Sequence, residues 1–116
     1  MEQRILVVSW QTKPGHLLQP VICAIARDAL RLSVWRAGGI AFACRVTRTD
    51  TRMVIHVPPG HDPSLHIEWV RAAARFAVAR MSVGAPPAWD DAYAYYWVSG
   101  ASVAAEITAC LMLDAM

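Results

Sequence analysis

Breaker clusters limit what this chain can fold into before any other side chain is considered. Thr12-Lys13-Pro14-Gly15, Ala37-Gly38-Gly39, Pro58-Pro59-Gly60 and Gly84-Ala85-Pro86-Pro87 divide its 116 residues into short runs. Each run must be a strand or a helix of modest length, because proline removes a backbone donor and glycine supplies the turn conformations. The first run, Arg4 to Trp10 (RILVVSW), is apolar and β-branched and reads as a strand. From Leu18 the apolar residues Val21, Ile22, Ile25, Ala29 and Leu32 follow helical spacing, with Pro20 tolerable only in the first turn. Leu32 to Arg36 and Ile40 to Thr47 flank the double glycine as a hairpin, and Met53 to Val57 supplies a further strand. On the middle strand the two-residue period puts Ile40, Phe42, Cys44 and Val46 on one face.

Asp62-Pro63 opens the next helix, aspartate capping and proline at the first helical position, and the run extends to about Ser82. A last helix is expected from about Trp89, with Ser99, Ser102, Glu106 and Asp114 as a thin polar line. The expected order is β-α-β-β-β-α-α, an α+β fold with a small antiparallel sheet and its helices on one face. At this length one domain, 1–116, is expected, a basic part at 1–82 followed by the Pro-Pro loop and an apolar, acidic helix at 83–116.

Charge is strongly segregated. All eleven Lys and Arg and all four His lie in the first eighty residues, against five acids, whereas residues 81–116 carry four acids and no cation. Asp90, Asp91, Glu106 and Asp114 are therefore placed to meet arginines elsewhere in the fold or across a dimer, at about 0–1 kcal/mol for an exposed pair. Hydrophobic residues make up 56% and charged residues 17%, more apolar surface than so small a chain can bury, so a protein partner or a second copy is expected. The three cysteines, Cys23, Cys44 and Cys110, are widely spaced and form no disulfide framework, which fits a reducing cytoplasm. Trp97 to Leu113 is short for a membrane span and is interrupted by Glu106, so no membrane partner is expected.

Three residue groups carry candidate functions. Trp89, Asp90, Asp91, Tyr93, Tyr95, Tyr96 and Trp97 concentrate aromatic rings and acids as protein-binding surfaces do. Arg36, Arg45, Arg48 and Arg52, with Arg71 and Arg75 on the following helix, form a basic set able to neutralise phosphates. The α-β-β-β-α run from about Leu18 to Ser82 resembles the double-stranded RNA-binding domain in element order and length. That resemblance implies binding of structured nucleic acid. The family's Lys-rich helix start is replaced here by Asp62-Pro63-Ser64-Leu65-His66, and its Gly-Pro-His loop by Ala37-Gly38-Gly39-Ile40.

His56, His61 and His66, beside Asp62, are the third group, and imidazoles with a carboxylate are ligands for a transition metal. Their five-residue spacing does not suit ligands on one helix, so no metal and no cofactor is expected. No G-x-S-x-G elbow surrounds any serine, and Cys44 reads as core. The leading expectation is therefore a non-enzymatic protein-binding module, a homodimer of inhibitor or adaptor type such as phages and mobile elements encode. Nucleic-acid binding through an arginine-bearing sheet face is one alternative. A small metal-dependent enzyme at the histidines is the other.

Overall fold

The computed structural model describes residues 4–81 and 86–112. Within them run β1 (Ile5–Gln11), α1 (Pro20–Arg36), β2 (Ile40–Val46), β3 (Asp50–His56), α2 (Pro63–Arg80) and β4 (Ala94–Val98). A single 3-10 turn, Gly100–Ser102, then leads into α3 (Val103–Met112). The four strands form one antiparallel sheet of order β2-β3-β1-β4, so the α+β class with an antiparallel sheet and helices holds. None of the described helices is long and apolar enough to cross a membrane.

The expected order fails at two places, and each failure has a physical cause. Leu32 to Arg36 continues α1 instead of opening a hairpin, because Ile22, Ala26, Leu30 and Val34 keep one helical stripe buried to that point. The double glycine is a helix stop. Gly38, at φ 85°, takes the left-handed position, with its N–H donating to Trp35 O at 3.0 Å and Gly39 N–H to Val34 O at 2.9 Å. The α-β-β-β-α order on which the RNA-binding resemblance rested is therefore absent.

Residues 94–98 form a strand instead of opening the last helix. Their Tyr, Trp and Val content favours a pleated surface, and β1 offers an open edge on which Val98 to Ala94 pair with Ile5 to Ser9. The last helix accordingly begins at Val103 and not near Trp89. Part of the Pro-Pro loop lies outside the described residues, as does Asp114.

The sheet is buried on both faces. Leu6, Val8 and Trp10 of β1 and Met53 and Ile55 of β3 meet α1 and α2 through Ile22, Leu30, Val34, Ile67, Val70 and Val78. On the opposite face Ile5, Val7, Ala43, Val54 and Val98 meet α3 through Cys110, Val103 and Ile107. The helices are thus divided between two faces, not gathered on one. In β2 a register shift between Ala41 and Ala43 breaks the two-residue period, so Cys44 faces the α1/α2 core while Phe42 is left exposed. Burial pushes the Cys44 thiol up to about 12, so it serves as packing and not as a nucleophile.

Gly39 is the tightest joint of this arrangement. A Cβ there would collide with the His56 carbonyl oxygen and press against Val34 Cγ1 at 3.2 Å. Gly39→Ala is expected to destabilise the protein by about 1–3 kcal/mol, the usual cost of overpacking. A melting temperature unchanged from that of the parent in a circular dichroism melt would count against this packing.

Candidate functional site

On the α3 side the sheet is apolar at one end and polar at the other. β3 alternates so that Asp50, Arg52, Val54 and His56 share this face, and the pairing registers add Ser9, Gln11, Arg45 and Tyr96. The short α3 covers the apolar end. At its margin Glu106 reaches the polar residues.

Arg52 is the centre of the polar end. Its Nη2 donates to Tyr96 Oη at 2.9 Å and lies 3.4 Å from Glu106 Oε2, while Tyr96 Oη donates to the same carboxylate oxygen at 3.1 Å. Arg52 Nε is buried and has no hydrogen-bond partner among the described residues. The side chains of Arg52 and Glu106 are 27% and 24% exposed, so the cluster opens to solvent. Burial, then the bond to Glu106, raises the Tyr96 phenol above its usual range. It is protonated at neutral pH, so a nucleophilic role requires its proton to pass to Glu106.

Arg45 lies directly across the strands from Arg52, an unfavourable like-charge pair unless each is neutralised. Asp50 meets Arg45 Nη2 at 2.9 Å and Glu106 meets Arg52. The expectation that acids of the C-terminal segment would meet arginines thus holds for Glu106. It was not among the expected site residues, because 54 positions separate it from Arg52 and only the α3 packing joins them.

The six arginines do not form one face. Arg45 and Arg52 share the sheet surface, whereas Arg48 Nε donates to Leu18 O at 2.9 Å beside the β2-β3 loop. Arg75 Nε donates to Pro87 O at 2.9 Å. Arg71 donates to the carbonyls of Asp90 and Asp91, and its guanidinium lies over Trp10 at 4.9 Å and Tyr93 at 5.6 Å. Burial pulls the Arg71 pKa down, with Asp91 opposing it. Arg36, at the far end of α1, lines an open groove with His61, Leu65, His66 and Trp69.

The aromatic segment also divides. Trp89 is buried, packing edge-on against Trp10 at 5.2 Å and bridging Thr12 through its backbone. Asp90 accepts from Ala92 N–H at 3.1 Å in a turn, and Asp91 is exposed. Strand alternation then sends Tyr96 to the α3 side and Tyr95 and Trp97 to the other.

His61 and His66 approach to 6.0 Å between ring centres, with His56 close enough to affect His66. Asp62 is spent on its helix, accepting from Ser64 N–H at 2.9 Å and Leu65 N–H at 3.2 Å. Among the described residues no three His, Cys, Asp or Glu side chains are grouped to hold a metal, so the metal-centre alternative has no geometry behind it.

No protein-family model matches this chain, and no curated protein matches it in sequence. Solved structures do match in fold. A protein of Deinococcus radiodurans R1 assigned as a transposase superposes with a TM-score of 0.74 at 16% identity, over 98% of this chain and 92% of its own. The chain shares its fold with transposases. A REP-associated tyrosine transposase, solved bound to a REP hairpin, gives a TM-score of 0.71 at 8% identity, over 99% of this chain and 68% of its own.

These likenesses overturn the leading expectation. The expected non-enzymatic protein-binding inhibitor or adaptor of viral type is not what these two structures support, since both are described as transposases and one was solved on nucleic acid. The residues behind that expectation are also differently employed, since Trp89 is core and Tyr96 belongs to the Arg52 cluster.

His66 yields a test of the strand-to-helix corner. Burial, followed by repulsion from His61 and His56, lowers its pKa, and its Nε2 is buried without a hydrogen-bond partner among the described residues. Below the unfolded value of about 6.5 the unfolded chain binds more protons, so stability falls as pH drops through that window. The melting temperature should decline between about pH 7 and pH 5, and His66→Phe should flatten the decline. An equal slope in both proteins would exclude His66 as its source.

Proposed function

We propose that this chain is a nucleic-acid-binding protein of the transposase type, gripping a phosphate of its strand at Arg52 beside Tyr96. The observation that carries the reading is the Arg52–Tyr96–Glu106 cluster, open to solvent on a fold shared with two structures described as transposases. One of those structures was solved with a REP hairpin, which makes a hairpin-forming nucleic acid the natural first ligand. Arg45 and Arg52 lie side by side on this sheet face, and a guanidinium offers planar paired donors suited to phosphate oxygens. Asp50 and Glu106 offset their charge, so binding is local to this cluster and not the work of a broad basic surface.

The same geometry favours reaction over passive binding. Tyr96 oxygen attacks the phosphorus, its proton passes to Glu106, and the bond to one strand end breaks. The released strand hydroxyl takes its proton from solvent, and Arg52 balances the charge that builds on phosphate oxygen. Incubation with a hairpin oligonucleotide should yield a denaturation-stable protein–nucleic acid adduct, visible as a shifted band on a denaturing gel. Tyr96→Phe should form none; an equal yield from this variant would remove Tyr96 from the reaction.

Binding itself is checked by a salt titration. Log affinity should fall linearly with log salt, and Arg52→Ala should reduce that slope by about 1 as one phosphate contact is lost. Affinity independent of salt would overturn the phosphate grip.

A further inference from the structure

The fold leaves a second ordered surface that the Arg52 cluster does not use. Along β4 and the residue before it, Tyr93, Tyr95 and Trp97 project to the side opposite Tyr96. Their rings form a continuous row. Tyr93 and Tyr95 stack with centres 6.4 Å apart and an interplanar angle of 26°, and Tyr95 meets Trp97 edge to face at 6.5 Å. A guanidinium closes each end, Arg4 over Trp97 at 5.1 Å and Arg71 over Tyr93 at 5.6 Å.

Both guanidinium groups are held in place. Arg4 donates to Pro58 O at 2.7 Å and His61 O at 3.0 Å, and Arg71 donates to Asp90 O and Asp91 O. Tyr93 is half-buried against the core, which accounts for the inner end of the row as packing. Packing does not account for the outer end. Tyr95 and Trp97 keep 37% and 46% of their surface exposed on the terminal strand of the sheet, an arrangement with large apolar rings facing water.

We infer that Tyr95 and Trp97, continued by Tyr93 and flanked by Arg4 and Arg71, form a stacking platform for unpaired bases of a single-stranded nucleic acid. The inference rests on the nucleic-acid reading above and adds a separate contact surface to it. Aromatic rings on an open strand, set among fixed cations, accept the π-face of any base with little sequence preference. The ring spacing of 6.4 and 6.5 Å is roughly twice the 3.4 Å per-nucleotide rise of a stacked strand, so the platform suits an extended strand with splayed bases. The two cations match the charge of a polyanion. β4 also supplies the path: Tyr96 faces the phosphate grip on one side of the strand, while Tyr95 and Trp97 face the platform on the other. A strand crossing this edge meets both.

The test compares two labelled DNA hairpins in fluorescence anisotropy with the full chain, one blunt and one with an unpaired tail of about six nucleotides, within the usual single-strand site size. The tailed hairpin should bind at least ~5-fold more tightly, and Trp97→Ala or Tyr95→Ala should each weaken its binding by ~5- to ~100-fold. The blunt hairpin should be unaffected, and the salt slope should be unchanged because no phosphate contact is lost. Trp97→Phe and Tyr95→Phe keep a ring and should retain affinity within about 3-fold, separating stacking from damage to the strand. Equal binding of tailed and blunt hairpins by the parent, or equal losses on both in the alanine variants, overturns the platform and leaves the phosphate grip standing. Binding of neither hairpin overturns both.

Discussion

Everything in this molecule hangs on β1. It is an interior strand of the sheet, paired with β3 on one side and β4 on the other, and Ile5, Leu6, Val7 and Val8 are all buried. Burial on both faces requires two covering layers. The larger comes from α1 and α2, and the smaller from α3 against Val7, Val54 and Val98. Each fully buried aliphatic side chain contributes about 1.5–3 kcal/mol, so a strand with four in succession holds the sheet, both cores and the β4 edge in register. Without β1, β4 has no strand to pair with and nothing holds Tyr96 beside Arg52.

The functional geometry follows from strand alternation across that frame. Because side chains alternate along a strand, β4 sends Tyr96 to one face and its neighbours Tyr95 and Trp97 to the other. One edge strand thus serves a polar cluster and an aromatic row at once. The polar cluster is narrow because α3 is short: its Ile107 and Cys110 close the apolar end of the face, and Glu106 reaches Arg52 at the boundary. Arginines that might have formed a basic face are mostly engaged in bracing loops, through Leu18 O, Pro87 O and the Asp90 and Asp91 carbonyls.

Much of the local structure could be read along the chain. The first strand and the Asp62-Pro63 helix start carry their own signals and stand where those signals put them, while β3 begins at Asp50, three residues ahead of the run expected from Met53. The errors came where two signals competed. Leu32 to Arg36 is β-branched and aromatic enough for a strand, yet Leu30 and Val34 extend a buried helical stripe that packing rewards more strongly. Residues 94–98 have strand-like composition, but their proximity to a helical polar line hid it. The register shift at Phe42 left no mark in composition. The site was legible only in fragments: Arg45, Arg52, Tyr95, Tyr96 and Trp97 all stood out by type, Glu106 only as an acid with no named arginine, and Arg4 not at all.

By itself the sequence determined the α+β class, the positions of the chain breaks, the N-cap of α2 and the segregation of charge. These depend on residue type, spacing and backbone chemistry within a few positions, which a linear reading contains. Tertiary structure alone decided that β4 would pair with β1, that α3 would cross to the opposite face, and that Arg52, Tyr96 and Glu106 would meet. Those outcomes depend on which edge is open and which apolar surface is still uncovered once β1, β3 and the two longer helices are in place. Contacts between residues 44 to 58 positions apart, such as Arg52 with Tyr96 and Glu106, or Cys110 with the Arg52 carbonyl, are products of that competition for burial and carry no local signature.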